Sequence, residues 1–163
     1  MIYIGIGSNL VGLNKETPLE NCQRAIHYLE KKVKVKQVSP FYKSQPVPLS
    51  NQPWYVNAVA EIITQKTPFE LLKFLIKIEE IFGRIRNKKN ESRIIDLDIV
   101  DYKNQLISFK KKLIIPHPRM HERAFVLLPL EKINPVWEHP KYKMKISELM
   151  KNIDKKQKIV KIS

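Results

Sequence analysis

Isoleucines at positions 2, 4 and 6 alternate with Tyr3, Gly5 and Gly7, the period-two pattern of a β-strand, and the run ends in a Gly7-Ser8-Asn9 turn. The period then changes. Thr17-Pro18-Leu19-Glu20 is a capping box with proline at the first helical position, and Leu19, Cys22, Ile26, Leu29 and Val33 follow it as a helical apolar stripe. Val33, Val35 and Val38 lead into Phe41-Tyr42 as a second strand. After a proline-rich loop at 44–53, another strand is predicted over 54–63. Thr67-Pro68-Phe69-Glu70 repeats the capping box and opens a second helix. Its core stripe is Leu71, Leu75, Ile78 and Phe82, its wet face is Glu70, Lys73, Lys77 and Glu80, and Gly83 stops it. A charged segment at 84–93 precedes a strand over 94–102, a turn at Lys103-Asn104, a return strand and the run 113–119. Further helices are predicted over 123–132 and from near Ser147. The order β-α-β-β-α-β predicts an α+β fold, a ferredoxin-like sheet with helices on its faces and an added hairpin.

Composition narrows the class without choosing a function. With 163 residues, 43% of them hydrophobic, and no repeat or linker, the chain reads as one domain able to build a core. Cys22, the single cysteine, has no partner for an internal bridge and falls on the apolar stripe, so a reducing compartment and a core position are expected. The first ten residues lack a basic lead-in, and Gly5 and Gly7 break their apolar run, unlike a signal peptide. No apolar stretch approaches the roughly 20 residues of a membrane span, so a soluble, cytoplasmic protein without a membrane partner is expected. A net charge of +14 attracts polyanions: nucleic acid, acidic membrane or a small phosphate-rich substrate. Most of that charge is scattered lysine, which reads as solvated surface, and the lysine-rich stretch 151–163 reads as a frayed tail.

The candidate chemistry centres on Ile95-Asp96-Leu97-Asp98-Ile99. In a strand the two aspartates share one face, about 6.5–7 Å apart, while the apolar residues enter the core. Alone, such a pair is as readily a solvent-facing surface. Its flanks change the reading: Arg84, Arg86 and Arg93 precede it, and His117, Arg119 and Arg123 follow. Carboxylates are the hard ligands magnesium takes together with substrate phosphates, and arginine forks clamp phosphate oxygens. Glu79 falls in the arc of Leu72 and Ile76, either as an arginine's structural partner or as a ligand to a nucleotide. Tyr55 with Asn57, and Phe125 two residues past Arg123, offer rings for stacking on a flat heteroaromatic and an amide for reading its edge. Each also fits an ordinary core or strand position.

Together these residues resemble the hydroxymethyl-dihydropterin pyrophosphokinases of folate biosynthesis. The resemblance is carried by Gly7-Ser8-Asn9-Leu10, Phe41-Tyr42, Gln52-Pro53 with Tyr55 and Asn57, and Glu79 with Gly83-Arg84-Ile85-Arg86. It continues through Arg93 to Ile99, Ile115-Pro116-His117-Pro118-Arg119, and Arg123 with Phe125 to Leu130. It implies a single pyrophosphokinase domain that moves a diphosphate from ATP to the pterin hydroxyl and releases AMP, with two Mg2+ ions and no nucleic-acid partner. By the same resemblance Asp96 and Asp98 hold the metals, and Arg84 and Arg93 act on the triphosphate. Tyr55 and Phe125 sandwich the pterin, and Asn57 with groups at Ser44, Pro46 and Val47 reads its edge. Arg86, Lys112, His117 and Arg123 bind ATP, with Glu79 and Ile99 among its neighbours. The family often carries an aromatic residue and a proline before the second arginine, whereas this chain has Asn87-Lys88-Lys89-Asn90-Glu91-Ser92. Two other classes compete. An RNA-binding sheet would need alternating basic and aromatic positions, which are missing, and a nucleotidyltransferase would not need the Tyr55, Asn57 and Phe125 slot.

Overall fold

The computed structural model of the chain describes residues 1–83 and 93–162. Its main sheet is built from β1 (Ile2–Ser8), β2 (Lys34–Val38), β3 (Tyr42–Ser44), β4 (Tyr55–Ile63), β5 (Asp96–Tyr102) and β8 (Ile159–Lys161). The strand order is β5-β1-β4-β3-β8, with β2 also paired to β4. Every pairing is antiparallel. The predicted second strand is divided in two, because Pro40 lies between β2 and β3 and has no N–H for the ladder. A separate hairpin, β6 (Ile107–Phe109) with β7 (Leu113–Ile115), is the appended element expected after the Lys103-Asn104 turn.

Both capping boxes form as the sequence indicates. They open α1 (Pro18–Glu30) and α2 (Pro68–Ile81), with Thr17 and Thr67 each accepting from the backbone N–H three residues on. Gly83 follows α2 at φ +99°, a conformation that suits glycine and ends the helix. The two helices bury their stripes against Ile2, Ile4 and Ile6 on one face of the sheet. Cys22 is fully buried there, and burial pushes its thiol up to about 12, so it is the inert core residue expected.

The opposite face is covered by α3 (Ala124–Ile133) and α4 (Ile146–Lys151), which enclose Tyr3, Val59, Val100 and Trp137. A register shift in the β1–β5 ladder between Tyr3 and Ile4 lets Asp101 reach this side, where Trp137 Nε1 donates to it at 2.9 Å. Burial raises the Asp101 pKa, and the indole hydrogen bond opposes that rise. The expected frayed tail is corrected by the structure: β8 pairs with β3, and the Ile162 N–H donates to the Phe41 carbonyl at 2.9 Å. The lysine count hid a short strand whose partner lies far away in sequence. Among the described residues, no helix is long and apolar enough to cross a membrane.

Candidate active site

The register of β5, β1 and β4 places the site on the α3 side of the sheet. Asp96 lies opposite Gly7, which lies opposite Asn57; Asp98 lies opposite Gly5, which lies opposite Val59. Directly opposed residues of an antiparallel sheet project to the same face, so both aspartates and Asn57 look across a row kept open by two glycines. A Cβ on Gly7 would come within 3.0 Å of Asn57 Nδ2, and one on Gly5 within 3.2 Å of Val100. Above this row lies a cleft of about 190 Å³, lined by Val47, Tyr55, Asn57, Asp96, Asp98, His117, Arg123 and Phe125. Its lining, two aromatic rings with a few convergent polar groups, suits a small organic ligand.

The alternation read from the sequence holds: Ile95, Leu97 and Ile99 are buried, Asp96 is half-buried and Asp98 exposed. Arg93 Nε sits 2.9 Å from an Asp96 oxygen. Glu79 is 3% exposed; its Oε2 accepts from the Leu97 N–H at 3.3 Å and lies 3.9 Å from Arg93 Nη1. Glu79 is therefore the structural partner of an arginine and holds the start of β5, which does not bring its carboxylate into the cleft. Asn57 Oδ1 accepts from the Ser44 hydroxyl at 2.7 Å, so its amide nitrogen is the end turned toward the cleft. The proline-rich loop is anchored by Asn9, whose Nδ2 donates to Gln52 Oε1 and to the Pro53 carbonyl at 3.1 and 3.2 Å.

The far wall is formed by the segment after β7. The His117 N–H donates to the Val100 carbonyl at 3.1 Å, extending the hairpin along the β5 edge. His117 Nδ1 accepts from the Arg119 N–H at 3.2 Å, which leaves Nε2 as the imidazole's donor. Burial lowers the His117 pKa; Asp98 opposes this, and Arg123 and Arg119 add to it, so the ring is neutral at pH 7. Arg123 has extended backbone between a 3-10 turn (Met120–Glu122) and α3, and its guanidinium carbon lies 5.4 Å from the Phe125 ring centroid. Burial also lowers its pKa, with Asp98 opposing, but a guanidinium stays charged. The Tyr55 phenol is raised chiefly by burial and further by Asp96, so it is neutral as well.

The fold thus brings eight of the predicted residues to one cleft. Ser44 stands behind Asn57, and Pro46 adjoins the lining Val47 without lining the cleft itself. The Ile99 side chain is in the core and does not line the cleft, and Lys112, exposed on the β6–β7 turn, is also not among the lining residues. Arg84, Arg86 and the divergent segment 87–92 lie outside the described residues. Gly5, Val100 and Val126 also line the cleft. The glycines among the isoleucines of β1 were the visible signal for the first; nothing local marked the two valines.

Among the described residues, no group of three or more His, Cys, Asp or Glu side chains could hold a metal. Two carboxylates on one open face match the donor set of magnesium, which takes one or two carboxylates and completes its shell with water and substrate phosphates.

Comparison with known proteins places the chain in a family. The family model of the 7,8-dihydro-6-hydroxymethylpterin-pyrophosphokinases matches residues 3–135. The 2-amino-4-hydroxy-6-hydroxymethyldihydropteridine pyrophosphokinase of Haemophilus influenzae is 42% identical over 133 residues, covering 80% of this chain and 79% of that protein. Its Bacillus subtilis counterpart is 40% identical over 131 residues, covering 80% and 76%. The crystal structure of a Plasmodium falciparum HPPK-DHPS triple mutant superposes with a TM-score of 0.70 at 15% identity, a likeness of fold. The superposition covers 92% of this chain and 43% of that longer one.

Proposed function

The chain belongs to the 7,8-dihydro-6-hydroxymethylpterin-pyrophosphokinase family, an ATP-dependent diphosphokinase family of folate synthesis, and from that premise we propose how its cleft carries out the transfer. The whole chain acts as one domain. The pterin lies between Tyr55 and Phe125, and the Asn57 amide, held by Ser44, donates to its edge. This puts the hydroxymethyl group toward Asp96 and Asp98. ATP enters along the wall of His117 and Arg123, where neutral Nε2–H and a permanent cation meet its polar oxygens. Arg93, now paired with Asp96, is close enough to exchange that carboxylate for a phosphate; Arg84, Arg86 and Lys112 would add charge from the rim.

The reaction is attack by the pterin hydroxyl oxygen on the β-phosphorus of ATP. The new O–P bond forms as the bond from the β-phosphorus to the bridging oxygen breaks; that oxygen leaves with AMP, and the hydroxyl proton passes to solvent or to a site carboxylate. Two Mg2+ ions held by Asp96 and Asp98 would neutralise phosphate charge and acidify the hydroxyl when bound. The chain's own share is positioning and a preorganised positive wall, the main sources of rate in phosphoryl transfer. The observation that carries the reading is the convergence on one glycine-floored row of the aspartate pair, a stacking slot and a half-buried arginine.

Calorimetric binding of the hydroxymethyl-dihydropterin tests the slot. Phe125→Ala should weaken binding about tenfold, the worth of one aromatic stack. Unchanged affinity would remove Phe125 from the pterin site.

A further inference from the structure

The segment beyond the family match, residues 136–162, is not needed to supply any group named above. One of its side chains nevertheless touches the site's wall. Gln157 Oε1 accepts from the Ala124 N–H at 2.9 Å, and Gln157 Nε2 donates to the Glu122 carbonyl at 2.7 Å. The two contacts fall on either side of Arg123. The Ala124 N–H is among the first amides of α3, which have no partner inside the helix, and no side chain of the N-cap residue Arg123 serves it. An amide side chain is the group that can accept from one of these positions and donate to the other at once.

The same stretch is fixed at its other end to the pterin side of the cleft. Ser44 pairs with Ile159 in the β3–β8 ladder, and the Gln45 N–H donates to the Lys158 carbonyl at 3.1 Å. A turn holds Gln157 itself, with the Lys156 N–H on Asp154 Oδ1 at 2.9 Å and the Gln157 N–H on the Asp154 carbonyl at 3.1 Å. Within three residues the chain therefore grips the strand that orients Asn57 and the segment that presents Arg123 and Phe125.

We propose that Gln157 is a positioning residue of the pyrophosphokinase site: it clamps the backbone around Arg123 and ties that wall through β8 to the Ser44 side, setting the width of the pterin slot. This rests on the pterin reading of the cleft. Arg123 is extended, not helical; its own N–H donates to the Met120 carbonyl and its carbonyl accepts from Val126 and Leu127. The clamp adds the two missing ties, at the Glu122 carbonyl and the Ala124 N–H, and its loss loosens the junction that presents Arg123 and Phe125.

The test compares wild type with Gln157→Ala, Gln157→Glu and Lys156→Ala, the last an exposed neighbour outside the clamp. Amide hydrogen exchange is read on substrate-free protein, and the affinity for hydroxymethyl-dihydropterin by calorimetry. Gln157→Ala should speed exchange in the peptide covering 120–128 and weaken pterin binding about tenfold as the wall that carries Arg123 and Phe125 loosens. Its thermal midpoint should fall by about 6 °C, the cost of two ordinary hydrogen bonds. Gln157→Glu keeps the acceptor for Ala124 and loses the donor to Glu122, so both effects should be intermediate; Lys156→Ala should match wild type. Unchanged exchange in Gln157→Ala overturns the clamp. Faster exchange spread over the whole chain, with affinity tracking the thermal midpoint, reduces Gln157 to a general stabiliser and also overturns the proposal. Wild type that binds no pterin sinks the pterin reading instead, a result the substrate-free exchange keeps separate from the clamp.

Discussion

At the scale of single residues, the site depends on what is missing as much as on what is present. Gly7 leaves the space that the Asn57 amide occupies, so Gly7→Ala should push that amide aside and lower pterin affinity at least several-fold while the fold persists, which calorimetry beside a melting curve would separate. An equal loss of affinity and stability would contradict this. Much at this scale was legible in the sequence. Asp96, Asp98, His117 and Arg123 line the cleft as strand alternation and the clustering of basic residues around a carboxylate pair indicate, and Tyr55, Asn57 and Phe125 line it as their ring and amide chemistry suggests. Glu79 was legible as an anomaly, a carboxylate on an apolar helix face, but its partner was not: Arg93 and the Leu97 N–H approach it only once α2 packs beside β5. Lys112 is exposed on the β6–β7 turn and is not among the residues that line the cleft, and which way a hairpin turn faces is not written in its charge.

At the scale of elements, the capping boxes show how far local chemistry goes. Thr17→Ala should destabilise the protein by about 1 kcal/mol in denaturant unfolding and leave turnover untouched, since α1 packs on the face away from the cleft. The element that local reasoning missed is β8, three residues in a lysine-rich stretch, because a short edge strand is specified by its partner and not by its own pattern. The turn after Trp137 carries a pH dependence. His139 is 2% exposed, and its Nδ1 accepts from the Lys141 and Tyr142 N–H groups at 3.1 and 3.2 Å, which requires the neutral ring. Burial first, then His121 and Lys141, lower its pKa from an ordinary 6.5 to about 4. Because the folded value is below the unfolded one, the unfolded chain binds the proton first as pH falls. The stabilisation is complete above about pH 6.5 and is lost progressively down to about pH 4, on the order of 3 kcal/mol in all. His139→Asn, which keeps an acceptor for the same amides, should flatten that stretch of the stability–pH curve; an unchanged slope would remove His139 as its source.

At the scale of the whole molecule, the net charge of +14 had admitted nucleic acid, membrane or a phosphate-rich small molecule as partner. The cleft offers a place for the last, because its cation and imidazole flank a carboxylate pair in a concave site. The surrounding lysines then act at long range, and kcat/KM for ATP should fall as salt rises over a range where kcat holds, since screening shortens the field and leaves the bound complex alone. The fold, too, needed the whole chain to become visible. The β-α-β-β-α-β order pointed to the sheet and to α1 and α2, whereas the layer formed by α3 and α4 exists only because Tyr3, Val59, Val100 and Trp137 meet across 134 residues of sequence.

The most direct measurement is release of AMP from ATP and magnesium, with and without hydroxymethyl-dihydropterin, for wild type and Asp98→Ala. Wild type should form AMP and the pterin diphosphate only when the pterin is present. Asp98→Ala should form neither while melting close to wild type, since Asp98 is exposed and supports no core contact. AMP formed without the pterin, ADP in place of AMP, or full activity in Asp98→Ala would contradict diphosphate transfer at this cleft.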